Sequence, residues 1–283
     1  MPELPEVEVL ARHLRPLLRG KIIRAVDVRR EKVLRPTSLR EFQRALAGAK
    51  FTGLSRRGKY LLFQLRPKTG DESITLLGHL GMTGRMFLLK QNEQLPKHAV
   101  VIFDLGRENF VYEDTRYFGR MTLDVSPVEN LGLEPLEPHF SIKVLAAHLK
   151  RSRQPVKVKL LDQSLVAGVG NIYASEALFR AKISPKLPAK KLTLAQTKKL
   201  WRAIRDVLAE AIRFGSTVQL KFADGKSDGL FYFGRAPGTP DFYEERLQVY
   251  DRAGKPCANC RYPIKRIVQA ARSTFYCPHC QKV

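Results

Sequence analysis

All four cysteines of this 283-residue chain sit at its C-terminal end, as Cys257-Ala-Asn-Cys260, a sixteen-residue spacer, and Cys277-Pro-His-Cys280. Two CxxC knuckles at this separation match a four-thiolate zinc site, which fixes a small knuckle–hairpin–knuckle fold around one metal ion. Pro263 to Gln269 and Ser273 to Tyr276 read as its two strands. Two disulfides are the alternative, and an unsecreted, basic chain argues against them. A redox CxxC would need no second copy. His279 is a rival ligand, but Cys257, Cys260, Cys277 and Cys280 already complete a tetrahedron. A closed site of this kind leaves no open position, so the zinc is structural and not catalytic.

The chain is long enough for one large or two medium domains. Lys and Arg number 50 against 27 acidic residues, a formal charge of +23 spread along the whole sequence. A folded chain this basic calls for a polyanionic partner, and nucleic acid is the usual one. No long apolar run reads as a membrane span and no signal-peptide pattern opens the chain, so a soluble intracellular protein is expected.

Val7, Leu10, Ala11, Leu14, Leu17 and Leu18 recur at helical spacing, with Arg12, His13, Arg15 and Arg19 on the other face. Gly20 is the stop signal, Pro16 should kink the last turn, and His13 reads as an ordinary surface histidine. From Lys21 to Val125 short β-rich runs take over, among them Tyr60–Leu65, Ile74–Leu77, Val100–Phe103 and Met121–Val125. Turn residues at 68–71 and 105–107 separate them, and the pattern predicts a sandwich or barrel-like layer. Ser126 to Pro138 reads as a linker. Ile142 to Lys150 and a segment starting at Val156 are helical. Thr193-Leu-Ala-Gln196 has capping-box form and opens a long amphipathic helix through Arg213. Ser216 to Tyr243 reads as an exposed loop rich in Gly, aromatic and basic residues.

The first residues, Met1-Pro-Glu-Leu-Pro-Glu-Val-Glu8, carry the chemistry. Met1 precedes a small residue, so its removal would leave Pro2 as a secondary amine. An unperturbed α-amino group has a pKa of about 7.7–8, so a useful fraction is unprotonated near neutrality. Such an amine can attack a carbon bearing a leaving group and collapse to an iminium. Glu3 and Glu6 offer carboxylates for proton transfer. Pro5 in the first helical turn, with the glutamates complementing the helix dipole, is a structural reading that holds alongside.

Four segments together resemble the formamidopyrimidine-DNA glycosylase family: Pro2–Glu8, Gly78-His-Leu-Gly-Met82, Val166–Glu176, and Arg272–Gln281. Leu4 is closer to this family than to the endonuclease VIII branch, which typically has glycine there. The resemblance implies an α+β protein. An N-terminal β-sandwich with flanking helices (1–130) would precede a helix-two-turn-helix domain with a lesion loop (131–246) and a zinc finger (247–283). It implies a monomer of bacterial intracellular type that works on the nucleoid, on double-stranded DNA carrying oxidised bases or abasic sites. The damaged nucleotide is flipped out, because the glycosidic carbon is inaccessible inside a stacked duplex. By the same resemblance Pro2 attacks C1′, Glu3 is the general acid/base, Glu6 handles the opened sugar, and β- and δ-elimination follow. Lys59, Asn171 and Arg272 grip the phosphate beside the lesion, with His79 and Lys157 as lesser contacts. Met82, Arg116 and Phe118 fill the hole left by the flipped base.

Two departures stand out. In Asp114-Thr-Arg-Tyr-Phe-Gly119 the family commonly has proline at the second position and arginine at the fourth, where this chain has Thr115 and Tyr117. The lesion loop opens with Gly215-Ser-Thr-Val218 instead of Gly-Thr-Thr, which bears on the lesion read. The expected activity is excision of oxidised purines followed by abasic-site cleavage. The alternatives are an endonuclease VIII-like enzyme for oxidised pyrimidines and a non-catalytic zinc-finger protein that binds damaged DNA.

Overall fold

The structure, a computed structural model, describes residues 1–215 and 247–282. The chain forms two compact units that meet in sequence at Glu129 and Asn130. The expected loop at Ser216–Tyr243 lies outside the described residues.

In the first unit, helix α1 (Leu4–Leu18) buries Val7, Leu10, Ala11, Leu14 and Leu18, one face of a 3.6-residue repeat, while Leu17, expected in the same stripe, lies off that face and is 38% exposed. Pro5 sits in the first turn, where its missing N–H is not needed. Pro16 lies inside the helix, which ends two residues later, and Gly20 turns the chain at φ +85°. His13 is half-buried, not a plain surface residue, and burial lowers its pKa.

Next come β1 (Ala25–Val28), a 3₁₀ turn (Glu31–Leu34), and α2 (Leu39–Leu46), capped by the Ser38 hydroxyl, which accepts from the Glu41 N–H at 3.2 Å. Seven more strands complete the layer: β2 (Lys50–Arg57), β3 (Tyr60–Arg66), β4 (Ile74–His79), β5 (Arg85–Lys90), β6 (Ala99–Asp104), β7 (Glu108–Glu113) and β8 (Arg120–Thr122). They make two four-stranded antiparallel sheets, ordered β1-β6-β7-β5 and β2-β3-β4-β8. In β3, Leu61, Phe63 and Leu65 point inward at period two. A bulge in β2 between Phe51 and Gly53 lets Phe51 and Leu54 both reach the core. The sheets face each other across one apolar cluster, in which Phe110 lies edge-on to Phe51 at 6.2 Å and packs on Phe63 at 5.6 Å. The continuous run in β6 is explained by a second cluster on its other face, where Ile102 joins Leu89, Ala99 and Val111.

The strand expected to run to Val125 stops at Thr122. The Thr37 hydroxyl takes over there, bonding the Thr122 hydroxyl at 2.8 Å and accepting from the Leu123 N–H at 3.1 Å. The expected linker at Ser126 begins instead as a short helix, α3 (Ser126–Glu129), and Leu133 then bridges Val166 in parallel.

The second unit contains α4 (Ile142–Lys150), α5 (Val156–Leu160), α6 (Asn171–Arg180) and α7 (Leu194–Gly215), then the hairpin β9 (Lys265–Gln269) and β10 (Arg272–Tyr276). The capping box forms as read: Thr193 Oγ1 accepts from the Gln196 N–H at 3.1 Å, and Gln196 Oε1 from the Thr193 N–H at 2.9 Å. Along α7, Leu200, Ile204 and Leu208 are buried in one stripe. Arg180 forks onto Glu210, at 2.8 and 2.7 Å, and joins α6 to α7. The observed class is the expected α+β arrangement of β-sandwich, helical domain and C-terminal finger.

Candidate active site and nucleic-acid interface

The head of α1 is a reciprocal cap. Glu6 Oε2 accepts from the Glu3 N–H at 2.5 Å, and the Glu3 side chain accepts from the first-turn amide of Glu6. Both carboxylates are buried, with 2 and 3% exposure, and so is Pro2. The terminal ammonium is carried here by Met1. Pro2 is the next residue and is buried. Burial pulls the pKa of this ammonium below the ordinary value; Glu3 and Glu6 oppose the shift, while Lys59 and Arg116 add to it. Amine, two carboxylates, Lys59 and Arg116 therefore share one electrostatic neighbourhood.

Lys59 reaches it from the two-residue turn between β2 and β3, where Gly58 takes φ +57°. Arg56 pins this turn to α1: its Nε donates to Glu8 Oε2 at 2.8 Å and its Nη1 to the Gly58 carbonyl at 3.0 Å. Burial pushes the Glu8 carboxyl up, but bonds from Arg12 and Arg56 outweigh it and hold the pKa below the usual range. Lys59 is itself 6% exposed. His79, at the end of β4, packs against Tyr60 with ring centroids 4.7 Å apart and the planes tilted by 38°. Burial, then the charges of Lys59 and Arg120, push its pKa down to about 4. Its Nδ1 accepts from the Gly81 N–H at 3.2 Å, which puts the proton on Nε2. His79 thus offers a neutral N–H and no charge.

Met82 and Phe118 are large apolar side chains left 41 and 55% exposed, and the Arg116 guanidinium lies 4.9 Å from the Phe118 ring centroid. The fully buried Asp114 carboxylate fixes the loops that carry them. Its Oδ1 accepts from the Thr83 hydroxyl at 2.6 Å and the Arg116 N–H at 3.2 Å. Its Oδ2 accepts from the Gly119 N–H at 2.9 Å and the Tyr112 hydroxyl at 3.3 Å. The loops press so close that a Cβ on Gly81 would stand 2.6 Å from the Gly119 nitrogen.

A separate cluster belongs to the second unit. Gln163 shapes the turn before α6, accepting from the Gly168 N–H at 2.9 Å and donating to the Val169 carbonyl at 2.7 Å. Asn171 follows as the first residue of α6, and its Nδ2 donates to the Ser273 carbonyl at 2.9 Å. Lys157 is fully buried; its Nζ donates to Asn171 Oδ1 at 2.5 Å, Thr274 Oγ1 at 2.8 Å and the Ser273 carbonyl at 3.1 Å. Lys157, a lesser phosphate contact by the resemblance, has its ammonium turned inward onto the Asn171 amide. Arg272 is exposed beside Ser273, at the start of β10 just after two turn residues, Ala270 and Ala271, at φ +47° and +58°.

In the finger, the four Sγ atoms lie within 4.8 Å of one another. The pairs Cys257–Cys280 and Cys260–Cys277 stand 3.9 and 3.5 Å apart. These separations are too long for S–S bonds of about 2.05 Å and match the roughly 3.8 Å edge of a tetrahedron with Zn–S bonds of about 2.3 Å. His279 stacks on Tyr262 and is not part of the cluster. The four thiolates hold one structural zinc. Phe179 of α6 closes the small apolar core around Cys257 and Cys277.

Sequence reasoning did not single out Asp114, Gln163 or Glu176. Glu176 is a buried carboxylate that accepts from the N–H groups of Gln248, Val249 and Tyr250 at 3.0, 3.0 and 2.9 Å, anchoring the chain as it enters the finger. For Asp114 and Glu176, acidic residues in a basic chain were the available signal; the partners of Glu176 are remote in sequence and could not be read.

Three family profiles match the chain: the formamidopyrimidine-DNA glycosylase N-terminal domain over residues 1–121, that family's H2TH domain over 131–222, and a zinc finger found in the same family and in isoleucyl-tRNA synthetase over 254–283. Formamidopyrimidine-DNA glycosylases of Carboxydothermus hydrogenoformans and Pelotomaculum thermopropionicum are 39 and 41% identical to it, each over 100% of both chains. Among solved structures, the Lactococcus lactis enzyme in complex with abasic-site DNA superposes with a TM-score of 0.85 at 30% identity, covering 99% of this chain and 100% of that one. The same enzyme with oxidised-pyrimidine DNA gives the same score and identity over 100% of both chains. The chain belongs to the formamidopyrimidine-DNA glycosylase family.

Proposed function

We propose that this DNA glycosylase and abasic-site lyase excises oxidised purines, formamidopyrimidines and 8-oxoguanine, through a Schiff base on Pro2. The observation that carries the reading is the partly buried chain-terminal amine, whose pKa is lowered and whose electrostatic neighbours include Glu3, Glu6 and Lys59. With Met1 removed, the Pro2 lone pair forms a bond to C1′ of the flipped nucleoside and the glycosidic bond breaks. The departing base takes its electron pair and a proton, and Glu3 moves that proton. The Pro2 nitrogen gives up its proton to a neighbouring carboxylate, and its lone pair opens the C1′–O4′ bond to an iminium, with O4′ protonated from the Glu6 side. Loss of a C2′ proton expels the 3′ phosphate, and a second elimination expels the 5′ phosphate. Lys59, Asn171 and Arg272 hold the phosphate near the lesion, His79 adds a neutral donor, and Met82, Arg116 and Phe118 occupy the vacated stack. Oxidised pyrimidines are the second reading, favoured by the Lactococcus relative bound to such DNA.

The rest of the reading follows from it. The three regions 1–130, 131–246 and 247–283 act as catalytic, helical and zinc-finger domains of a monomer. It works inside the cell on double-stranded DNA, with +23 charge to hold the duplex. No helix among the described residues is long and apolar enough to cross a membrane.

Borohydride should trap the protein covalently on duplex DNA containing 8-oxoguanine or an abasic site, with peptide mapping placing the adduct on Pro2. An adduct on an internal lysine would overturn the assignment of the nucleophile.

Lys157 contributes without touching DNA. Lys157→Met, similar in length but uncharged, releases the Asn171 amide and should weaken lesion-DNA binding about tenfold to a hundredfold, the worth of a hydrogen bond to a charged group. Asn171→Ala should do the same, and the double variant should be no worse than either single one. Additive losses would mean that Lys157 acts elsewhere.

A further inference from the structure

We infer that Arg30 is a contact to a DNA backbone phosphate, with its guanidinium presented on the Tyr117 ring; this rests on the DNA-repair reading above. Arg30 is exposed, and its guanidinium carbon lies 5.1 Å from the Tyr117 ring centroid. Its neighbour Arg29 is paired with Asp27 at 3.2 Å, whereas Arg30 has no ion-pair partner among the described residues. An arginine held on an aromatic face with its donors toward solvent is pre-organised for an anion, because the planar fork loses little freedom on binding.

The platform beneath it is built from three chain segments. Tyr117 adopts φ +55°, a left-handed conformation rare for a bulky side chain, which persists only where the surroundings enforce it. Asp114 enforces it from below, by gripping the amides on either side at Arg116 and Gly119. The Tyr117 hydroxyl bonds His98 Nδ1 at 3.3 Å, and the His98 carbonyl accepts from the Asp114 N–H at 3.1 Å. The Arg29 N–H donates to the Val100 carbonyl at 2.9 Å, which fixes the approach of Arg30. Ring and guanidinium are therefore positioned together.

Location names the ligand. Tyr117 lies between Arg116 and Phe118, two of the residues proposed to enter the duplex where the base leaves. A side chain that enters the stack does so between sugar-phosphate backbones, so a cation one residue away meets a phosphodiester and not a base edge. Tyr117 also stands where the family pattern carries arginine. In this chain the positive charge is supplied by another strand, and the tyrosine serves as its rest.

The test uses the full zinc-loaded chain and a duplex containing a tetrahydrofuran abasic analogue. Arg30→Ala should raise Kd roughly threefold to tenfold and flatten the plot of log K against log salt by about 0.9, the release of one phosphate counterion. Adding Tyr117→Arg to that variant should restore both affinity and slope, since the charge returns to the same place. Tyr117→Ala alone should weaken binding while leaving the slope intact, because the charge stays and only its rest is lost. Thermal unfolding should be unchanged in Arg30→Ala, which removes an exposed side chain. An unaltered salt slope in Arg30→Ala would overturn the phosphate contact, and wild-type affinity in Tyr117→Ala would overturn the platform. Wild-type protein that neither binds this duplex nor cleaves one carrying a natural abasic site would overturn the repair reading itself, whatever the variants do.

Discussion

Glu3→Gln is expected to lower base excision by about 10²- to 10⁴-fold, the range over which a positioned acid/base contributes. Binding to DNA with an abasic analogue should stay within a few-fold of wild type. The substitution is chosen on structural grounds. The Glu3 side chain also accepts the first-turn amide of Glu6, and that bond is half of the cap that sets the helix head. Glu3→Ala would remove proton transfer and cap together, and loss of a cap costs about 0.5–2 kcal/mol. Glutamine keeps a carbonyl oxygen for the amide and loses only the exchangeable proton. Single-turnover excision of 8-oxoguanine, read beside affinity for the abasic analogue, separates the two roles. Excision within a few-fold of wild type would show that another group moves the proton. Equal loss of binding would show that Glu3 matters chiefly as a cap.

Much of this architecture was legible because it is local. The α1 stripe, the Thr193–Gln196 cap, the β-rich run at Tyr60–Leu65 and the two CxxC knuckles each follow from a few neighbouring residues, and each forms, with Leu17 of the expected stripe left exposed. What was not legible depends on partners far away in sequence. Ser126–Pro138 has the composition of a linker, yet Leu133 is ordered by pairing with Val166. Met121–Val125 has strand composition, yet Thr37, from the other end of the layer, closes the ladder at Thr122. Lys157 is marked in the sequence only as a lesser phosphate contact by resemblance. Its burial is met by acceptors supplied from α6 and β10, remote in sequence. The same holds for Tyr117: sequence marks it as a departure, and only the fold shows Arg30 and His98 closing on it.

Removing zinc is expected to abolish tight lesion binding while leaving the β-sandwich folded, and the contacts of the finger say where the damage should stop. The finger is too small to be held by its apolar core alone, since domains below about 40 residues usually need a metal or disulfides. Structural zinc typically contributes roughly 10–16 kcal/mol to such a unit at pH 7. Without it, β9 and β10 lose the knuckles that bracket them. Ser273 and Thr274 then no longer receive the Lys157 ammonium, and the buried charge loses both of these acceptors. Arg272 and Asn171 are released together, because the Ser273 carbonyl is what ties the Asn171 amide to the hairpin. Upstream the effect should end at Gln248–Tyr250, whose N–H groups are held by the buried Glu176. Burial raises the pKa of Glu176, against the lowering effect of these three donors. Those bonds need no metal at neutral pH. Hydrogen exchange on the chelated protein should therefore show lost protection from Cys257 to Gln281, retained protection at Val249 and Tyr250, and an unchanged pattern in residues 1–129. Metal analysis of the untreated protein should give one zinc per chain. Active protein without zinc, or a chelated chain that still grips abasic DNA, would reduce the four cysteines to a dispensable cap. Loss of protection throughout residues 1–129 would instead mean that the finger supports the whole molecule, and the phosphate grip could not be separated from the fold.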